Sequence, residues 1–170
     1  MASDFAQALR AAAVPFLDPE RYGRSPLENV SFLASSANPD PARWGQGFVA
    51  RLSGSTAEFL QMWQLMFFGP SPFRWEDGQL RLVLEPFLPD YLMPDDGVVR
   101  AAFLGDIQLT YRAPGCRALV PGKTVPVRWT LTGRGGTRTV LRCPYLSGRE
   151  AQAVRAGEIA AIELELEEST

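Results

Sequence analysis

The sequence predicts an α+β fold in which helices occupy the first third of the chain and an antiparallel, sandwich-like β domain follows. Between residues 55 and 68 the apolar residues recur at helical spacing. From residue 79 they alternate with polar residues, and several segments rich in β-branched and aromatic residues come after. Because helical and strand-like patterns are segregated along the chain, we expect no wound parallel sheet. The expected domains are residues 1–70 and 71–170.

Composition excludes several classes of protein. The chain has 170 residues, of which 46% are hydrophobic, and it includes ten Phe and four Trp, so it can bury a core and is not disordered. A net charge of −2 without a basic run argues against nucleic-acid binding. The apolar run Phe59 to Phe68 is too short to span a bilayer, and the N-terminus does not resemble a secretory signal. We expect a soluble cytoplasmic protein with no membrane partner.

The chain contains no histidine, and its two cysteines, Cys116 and Cys143, lack metal-ligand spacing. The missing histidine removes His-based catalytic triads, most zinc sites and the commonest general base. We therefore expect no metal and no cofactor. Two free, buried thiols are the expectation for the cysteines, ahead of a disulfide.

Residues that cap or stop helices predict two helices in the first part of the chain. Residues 3–13 suit an Ala-rich helix capped by Ser3 or Asp4. The short apolar segment Leu27 to Leu33 follows, and its periodicity does not decide between helix and strand. The next helix begins near Ser55 and ends at Gly69-Pro70, and its apolar residues on several faces predict that it is largely buried.

The strands are predicted from alternation and from their boundaries. Leu80, Leu82 and Leu84 alternate with other residues on one strand. The segments "GVVRAAFLGDIQLTYRA", "TVPVRWTLTG", "TRTVLRCPYL" and "IAAIELELEE" are each read as a strand, the last as an edge strand with a charged outer face. "PDDG" at 94–97 and "GRGG" at 133–136 predict a turn and a hairpin loop. The capping box of Ser147 and Glu150 predicts a short helix that ends at Gly157.

The hydroxyl cluster at residues 53–56 has two interpretations. Ser55 and Glu58 fit a capping box, which stabilises a helix by about 1 kcal/mol. The same helix start presents unpaired N–H groups and about half a positive charge, which bind phosphate or sulfate. The interpretations are compatible, because Ser55 can cap the helix while Ser53, the Gly54 amide and Thr56 contact an anion.

Two further groups of residues are candidates for sugar chemistry. The tryptophans, which either belong to the core or form a sugar-stacking platform, are Trp44, Trp63, Trp75 and Trp129. The acidic residues nearest the hydroxyl cluster, where carboxylates for glycosidic chemistry are sought, are Glu28, Asp40 and Glu58.

An ordered series of short elements carries a resemblance to a known family. The series is Glu28, Pro39, Gly45-Gln46-Gly47 and Ser53-Gly54-Ser55, the last at the start of an aromatic-rich helix. It resembles the last part of the helical barrel in the cellobiose and chitobiose phosphorylase family, where Glu-Pro, Gly-Pro, Gly-Gln-Gly and Thr-Gly-Thr follow in this order. Downstream, "LRLVLEPFLPDYL" and "VVRAAFLGDIQLTYRAPG" resemble strands of the same family. The resemblance covers residues from about 20 to about 115.

The resemblance implies a fold and a chemistry. The family's enzymes are inverting: phosphate attacks the anomeric carbon, and a single Asp within an (α/α)₆ barrel protonates the leaving sugar. It implies that the N-terminal helices are the end of such a barrel and that Ser53, Gly54 and Ser55, with Thr56 beside them, contact phosphate. Glu28 and Gln46 are then the candidate substrate contacts. The implied partners are an oligosaccharide, inorganic phosphate and the remainder of the barrel, with homo-oligomerisation left open.

Departures from the family limit what this chain is expected to do. Serines replace both threonines, Ala34 stands where the family has a glutamine, and Glu58 stands where it has an aromatic residue. The family's catalytic Asp and its phosphate-binding histidine have no counterpart. We therefore expect the C-terminal part of a larger enzyme, inactive in isolation, that contributes phosphate and sugar binding. The alternatives are a non-catalytic carbohydrate-binding or protein-interaction module and a purely structural domain.

Overall fold

The computed structural model describes residues 2–12, 20, 34, 36–44 and 54–169. The chain divides into two compact units, Met1–Met62 and Trp63–Thr170. The division falls between Met62 and Trp63. The predicted segment Leu27 to Leu33 lies outside the described residues.

The described part of the first unit is helical. Helix α1 spans Ala2–Ala12, which confirms the predicted Ala-rich helix, and its Leu9 is buried. A single 3₁₀ turn spans Pro41–Arg43. Asp40 stabilises this turn, because its Oδ1 accepts a hydrogen bond from the Ala42 amide at 3.0 Å.

Helix α2 spans Gly54–Phe68, and its end is the one predicted. Gly69 has a φ of 84°, the left-handed conformation that glycine adopts most easily, and its amide donates to the Leu65 carbonyl at 2.8 Å. The expected burial of this helix is wrong for several described side chains. Met66 is buried, but Leu60 is 67% exposed and Leu65 is 44% exposed.

Eight strands, one helix and one 3₁₀ turn follow. In chain order they are β1 (Phe73–Glu76), β2 (Gln79–Leu82), the 3₁₀ turn (Asp90–Leu92), β3 (Val98–Phe103), β4 (Ile107–Arg112), β5 (Thr124–Gly133), β6 (Arg138–Leu141), β7 (Leu146–Ser147), α3 (Gly148–Arg155) and β8 (Ile159–Glu168). They form a three-stranded sheet in the order β1-β2-β7 and a five-stranded sheet in the order β3-β4-β8-β5-β6. The α+β class is therefore correct.

Two of the expected strands have the predicted bounds, and two other predicted segments are each divided between two strands. Strands β5 and β8 coincide with the predicted segments. The segment read as a strand from residue 97 to 113 is instead the hairpin β3–β4, because Leu104 and Gly105 adopt positive φ values and reverse the chain. The segment 137–146 is likewise divided between β6 and the start of β7. The turns at 94–97 and 133–136 are as predicted, each with a hydrogen bond that closes it.

Two expectations about the larger sheet are wrong. Strand β8 pairs in parallel with β4 and antiparallel with β5, so the sheet is mixed and not purely antiparallel. Strand β8 is also central and not an edge strand. Its alternation misled the prediction, because a central strand with one solvent-facing side shows the same pattern as a charged edge strand. Its outward Glu163 pairs with Arg112 of β4 at 2.8 Å, and Glu165 pairs with Arg128 of β5.

Both sheets and α3 contribute to one hydrophobic core. Leu80, Leu82 and Leu84 are buried, as their alternation predicts. The largest core side chain is Trp129, which is fully buried and donates its indole N–H to the Cys143 carbonyl at 3.0 Å. The buried α3 residues in this core are Ala151 and Val154.

The last turn of α2 packs against the larger sheet within the second unit. The buried Tyr111 of β4 donates its hydroxyl hydrogen bond to the Phe67 carbonyl at 2.6 Å. The Phe87 amide donates to the Met66 carbonyl at 2.7 Å, and the Phe68 and Phe103 rings lie 5.0 Å apart. These bonds satisfy carbonyl groups that a helix end leaves without intrahelical partners.

Tyr111→Phe is expected to lower the free energy of unfolding by about 1–3 kcal/mol, because it leaves the Phe67 carbonyl without its buried donor. Burial raises the pKa of Tyr111 far above its ordinary value of 10.0. The folded state therefore keeps the phenol neutral while the unfolded chain loses its proton, so this residue's contribution to stability falls as the pH rises above about 10. Urea titrations at pH 7 and pH 10.5 measure both effects. Tyr145→Phe is the control, and equal stabilities of the two variants would contradict the role of Tyr111.

Candidate functional site

The candidate phosphate residues cluster at the start of α2. Gly54, Ser55 and Thr56 lie in its first turn, and their side chains are not described. Ser53, which precedes the helix in the sequence, lies outside the described residues, as do the two candidate substrate contacts Glu28 and Gln46. Because α2 begins at Gly54, Ser55 is inside the helix, and it does not occupy the preceding position that the predicted capping box with Glu58 requires.

The other candidate residues for sugar chemistry are dispersed. Both Asp40 carboxylate oxygens are engaged locally, one by the Ala42 amide and the other by Arg43 Nε at 3.2 Å. Trp129 belongs to the core, and Trp63 is half-buried with its ring stacked on Phe67. The exposed tryptophans are Trp44 and Trp75, and the Trp44 indole donates to the Asn38 carbonyl. The described tryptophans therefore do not all serve a stacking platform.

A groove beside α3 has no counterpart in the sequence-based expectations. It consists of two concavities of about 360 and 470 Å³. The first is lined by Leu141, Cys143, Tyr145 and Ser147 among others, and the second by Thr137, Thr139, Arg149 and Glu158 among others. Glu150 lines both concavities. We call this feature the β6–α3 groove.

The local chain geometry explains why Ser147 and Glu150 line this groove. The predicted helix is present, and Gly157 follows its end with a φ of 75°. The predicted capping box is not formed, because the Ser147 side chain makes no capping hydrogen bond. Gly148 has a φ of 56°, which turns the chain sharply between β7 and α3 and displaces the first turn from the geometry that a capping box needs.

The groove contains polar side chains that the fold does not use. Within residues 54–169, no hydrogen bond or ion pair engages the side chains of Ser147, Arg149, Glu150 or Glu158. Glu150 is only partly exposed. Elsewhere on the same sheet the partly buried carboxylates of Glu163 and Glu165 are paired with arginines. These four side chains are therefore available to a partner molecule, and of them Ser147 and Glu150 are partly buried.

Tyr145 lines the groove, and its ring is in contact with Arg81. The Arg81 guanidinium lies over this ring, 4.7 Å from its centroid. Arg81 also pairs with Glu76 at 2.6 Å and with Asp77. A guanidinium that is fixed by two carboxylates gives the Tyr145 ring a stable orientation.

Both cysteines are free thiols, as predicted, although each is half-buried and not fully buried. Burial raises the pKa of the Cys143 thiol, and the nearby Glu150 carboxylate raises it further, while a backbone hydrogen bond from Tyr145 lowers it. Burial also raises the pKa of Cys116, together with the carboxylates of Glu168 and Glu167. Both thiols therefore stay protonated at neutral pH, and neither is an activated nucleophile.

The described residues contain no group of three or more His, Cys, Asp or Glu side chains placed to hold a metal ion. Among those same residues, no helix is both long and apolar enough to cross a membrane. Neither the protein-family models nor the curated proteins include a match to the chain. The site must therefore be interpreted from its own chemistry and from the resemblance set out above.

Glu150→Gln is expected to lower the apparent pKa of Cys143 and to leave that of Cys116 unchanged, because only Cys143 is near this carboxylate. The pH dependence of iodoacetamide labelling, followed for each cysteine-containing peptide by mass spectrometry, measures both values. In the wild type both thiols should be labelled more slowly than a free cysteine at every pH below its pKa, because the pKa of each is raised. Labelling of Cys143 at pH 7 as fast as that of a free cysteine would contradict this assignment.

Proposed function

We propose that the chain is the C-terminal part of a glycoside phosphorylase-like enzyme. In this proposal the start of α2 binds inorganic phosphate, Glu28 and Gln46 contact the oligosaccharide, and the catalytic acid lies in the remainder of the barrel. The observation that carries the proposal is that Gly54 and Ser55 of the Ser53-Gly54-Ser55 series lie in the first described turn of α2. By the sequence resemblance, this series corresponds to the Thr-Gly-Thr helix start of the cellobiose and chitobiose phosphorylase family.

The charge pattern of α2 supports an anion at this position. A helix N-terminus presents unpaired amide N–H groups and a partial positive charge. Helices α1 and α3 each carry an acidic residue in the first turn, Asp4 and Glu150, which opposes an anion there. The first turn of α2 has no acidic residue and offers two hydroxyl-bearing residues, Ser55 and Thr56. Of the three described helices, α2 is therefore the one suited to phosphate.

The exposed apolar residues of α2 support the missing remainder of the barrel. Leu60 and Leu65 are 67% and 44% exposed. Leu60 and Leu65 are five residues apart and lie on different faces of the helix, so neighbours on more than one side would be needed to cover both. In an (α/α)₆ barrel each helix packs against its neighbours, so the remaining barrel helices are the natural cover. A second copy of the chain would cover the same residues in a homo-oligomer.

The isolated chain is expected to be inactive towards cellobiose and chitobiose, because no residue replaces the missing acid that protonates the leaving sugar. Release of sugar 1-phosphate from either disaccharide in phosphate buffer is the measurement. As the control, Glu58→Gln removes the exposed carboxylate nearest to the start of α2. Phosphorolysis by purified chain that disappears in Glu58→Gln would contradict the proposal, because the acid would then be local.

Phosphate is expected to shift the backbone amide NMR signals of residues 54–57 at concentrations up to about tens of millimolar, the range of a weak single site. Ser55→Ala should weaken this binding without loss of stability, because Ser55 lies inside the helix and alanine is the better helix former. Ser53→Ala should also weaken binding, because its hydroxyl belongs to the same cluster in the sequence.

The two serine variants separate the interpretations of the cluster. If the hydroxyls only cap the helix, no amide at 54–57 responds to phosphate, either in the wild type or in the two variants. That outcome would remove the phosphate site and favour the alternatives, a non-catalytic carbohydrate-binding or protein-interaction module. Sodium chloride at equal ionic strength is the control for screening.

A further inference from the structure

The β6–α3 groove has the dimensions of a ligand site. Its two concavities, of about 360 and 470 Å³, each fall within the range of about 300–1000 Å³ that is typical of small-molecule sites. Glu150 lines both concavities, so its side chain is accessible from each of them.

The groove also has polar groups that are available to a ligand. Ser147 and Glu150 are the two members of a capping box that does not form, and both line the groove instead. Arg149 and Glu158 add a guanidinium and a second carboxylate without an ion pair in the described part of the chain. Arg149 and Glu158 are exposed, whereas Ser147 and Glu150 are partly buried, and partly buried polar groups without internal partners are best satisfied by water or by a ligand that offers hydrogen bonds.

The chemistry of the lining selects among classes of ligand. Glu150 and Glu158 repel an anion such as phosphate, and Arg149 opposes a cation. A wholly apolar ligand would leave these charged groups desolvated and unpaired. A neutral ligand with many hydroxyl groups avoids both costs, because carboxylates accept its hydrogen bonds and the guanidinium donates to its oxygens.

The apolar residues of the lining also suit a ligand of this class. Leu141 and Tyr145 lie on the same stretch of the groove as Ser147 and Glu150. The C–H faces of a sugar ring pack on aliphatic and aromatic side chains, while its hydroxyls reach polar groups beside them. We propose that the β6–α3 groove binds a neutral oligosaccharide, at a site separate from the start of α2.

This proposal does not depend on the phosphate site, since every residue that carries it lies in the second unit of the chain. The experiment is a titration of the full chain with cellotetraose, chitotetraose or maltotetraose, followed by backbone amide NMR. At least one of them should shift the signals of residues 137–150. Glu150→Gln, which keeps the shape of the side chain and removes its charge, should weaken the binding by about tenfold, as for the loss of a charge-assisted hydrogen bond.

Two further variants make the result decisive. Glu167→Gln is the matched control, because Glu167 is an exposed carboxylate of β8 outside the groove lining, and it should leave the affinity unchanged. Thr139→Val removes a hydroxyl from the lining of the second concavity at constant shape and should also weaken binding. It provides an independent result if Glu150→Gln does not fold.

The proposal is overturned if none of the three oligosaccharides shifts signals within residues 137–150. It is equally overturned if shifts occur but remain the same in Glu150→Gln and Thr139→Val, or if a lysine-rich peptide shifts these signals while no saccharide does. The phosphate titration is read at residues 54–57, so failure of the groove and failure of the phosphate site appear as separate results.

Discussion

The insertion of β8 between β4 and β5 is the constraint on which the larger sheet depends. Without this last strand, β3–β4 and β5–β6 are two separate hairpins, each of a kind that is marginally stable in water. Strand β8 joins them by pairing in parallel with one and antiparallel with the other. Its inward residues Ile162, Leu164 and Leu166 are all buried in the common core. The final ten residues of the sheet therefore complete both its hydrogen bonding and its packing.

The position of β8 also organises the outer face of the sheet. Its glutamates lie between strands that carry arginines, so Glu163 pairs with Arg112 and Glu165 with Arg128. Such partly exposed pairs contribute little stability individually. Their main consequence is that the carboxylates of Glu163 and Glu165 are already engaged, whereas no ion pair or hydrogen bond among the described residues engages that of Glu150 in the β6–α3 groove. Glutamates thus form ion pairs on the sheet at positions 163 and 165, whereas the glutamate at position 150 is available to a ligand.

The groove follows from the way the chain reaches β8. The chain passes from β7 into α3 through Gly148, whose positive φ permits a turn that a residue with a side chain rarely adopts. This turn prevents the capping box and leaves Ser147 and Glu150 along the wall of a cavity. Arg81, between Glu76 and the ring of Tyr145, stabilises the adjoining wall. The capping box that the sequence predicts is therefore absent at the same place where Ser147 and Glu150 line the groove.

The sequence by itself determined the features that depend on neighbouring residues along the chain. Alternation identified Leu80, Leu82 and Leu84 as core residues and identified the extents of β5 and β8. Gly69 marked the end of α2, because its left-handed conformation is a local property.

Only the tertiary structure decided which strands are neighbours, because pairing joins residues far apart in sequence and alternation is the same in central and edge strands. For the same reason the groove was not predictable, since Glu150 borders a cavity only after β6, β7 and α3 have packed together. For the candidate phosphate site, the sequence supplied the hydroxyl cluster at residues 53–56, and the fold added that Gly54, Ser55 and Thr56 are helical, because the backbone hydrogen bonds of a helix form only on folding.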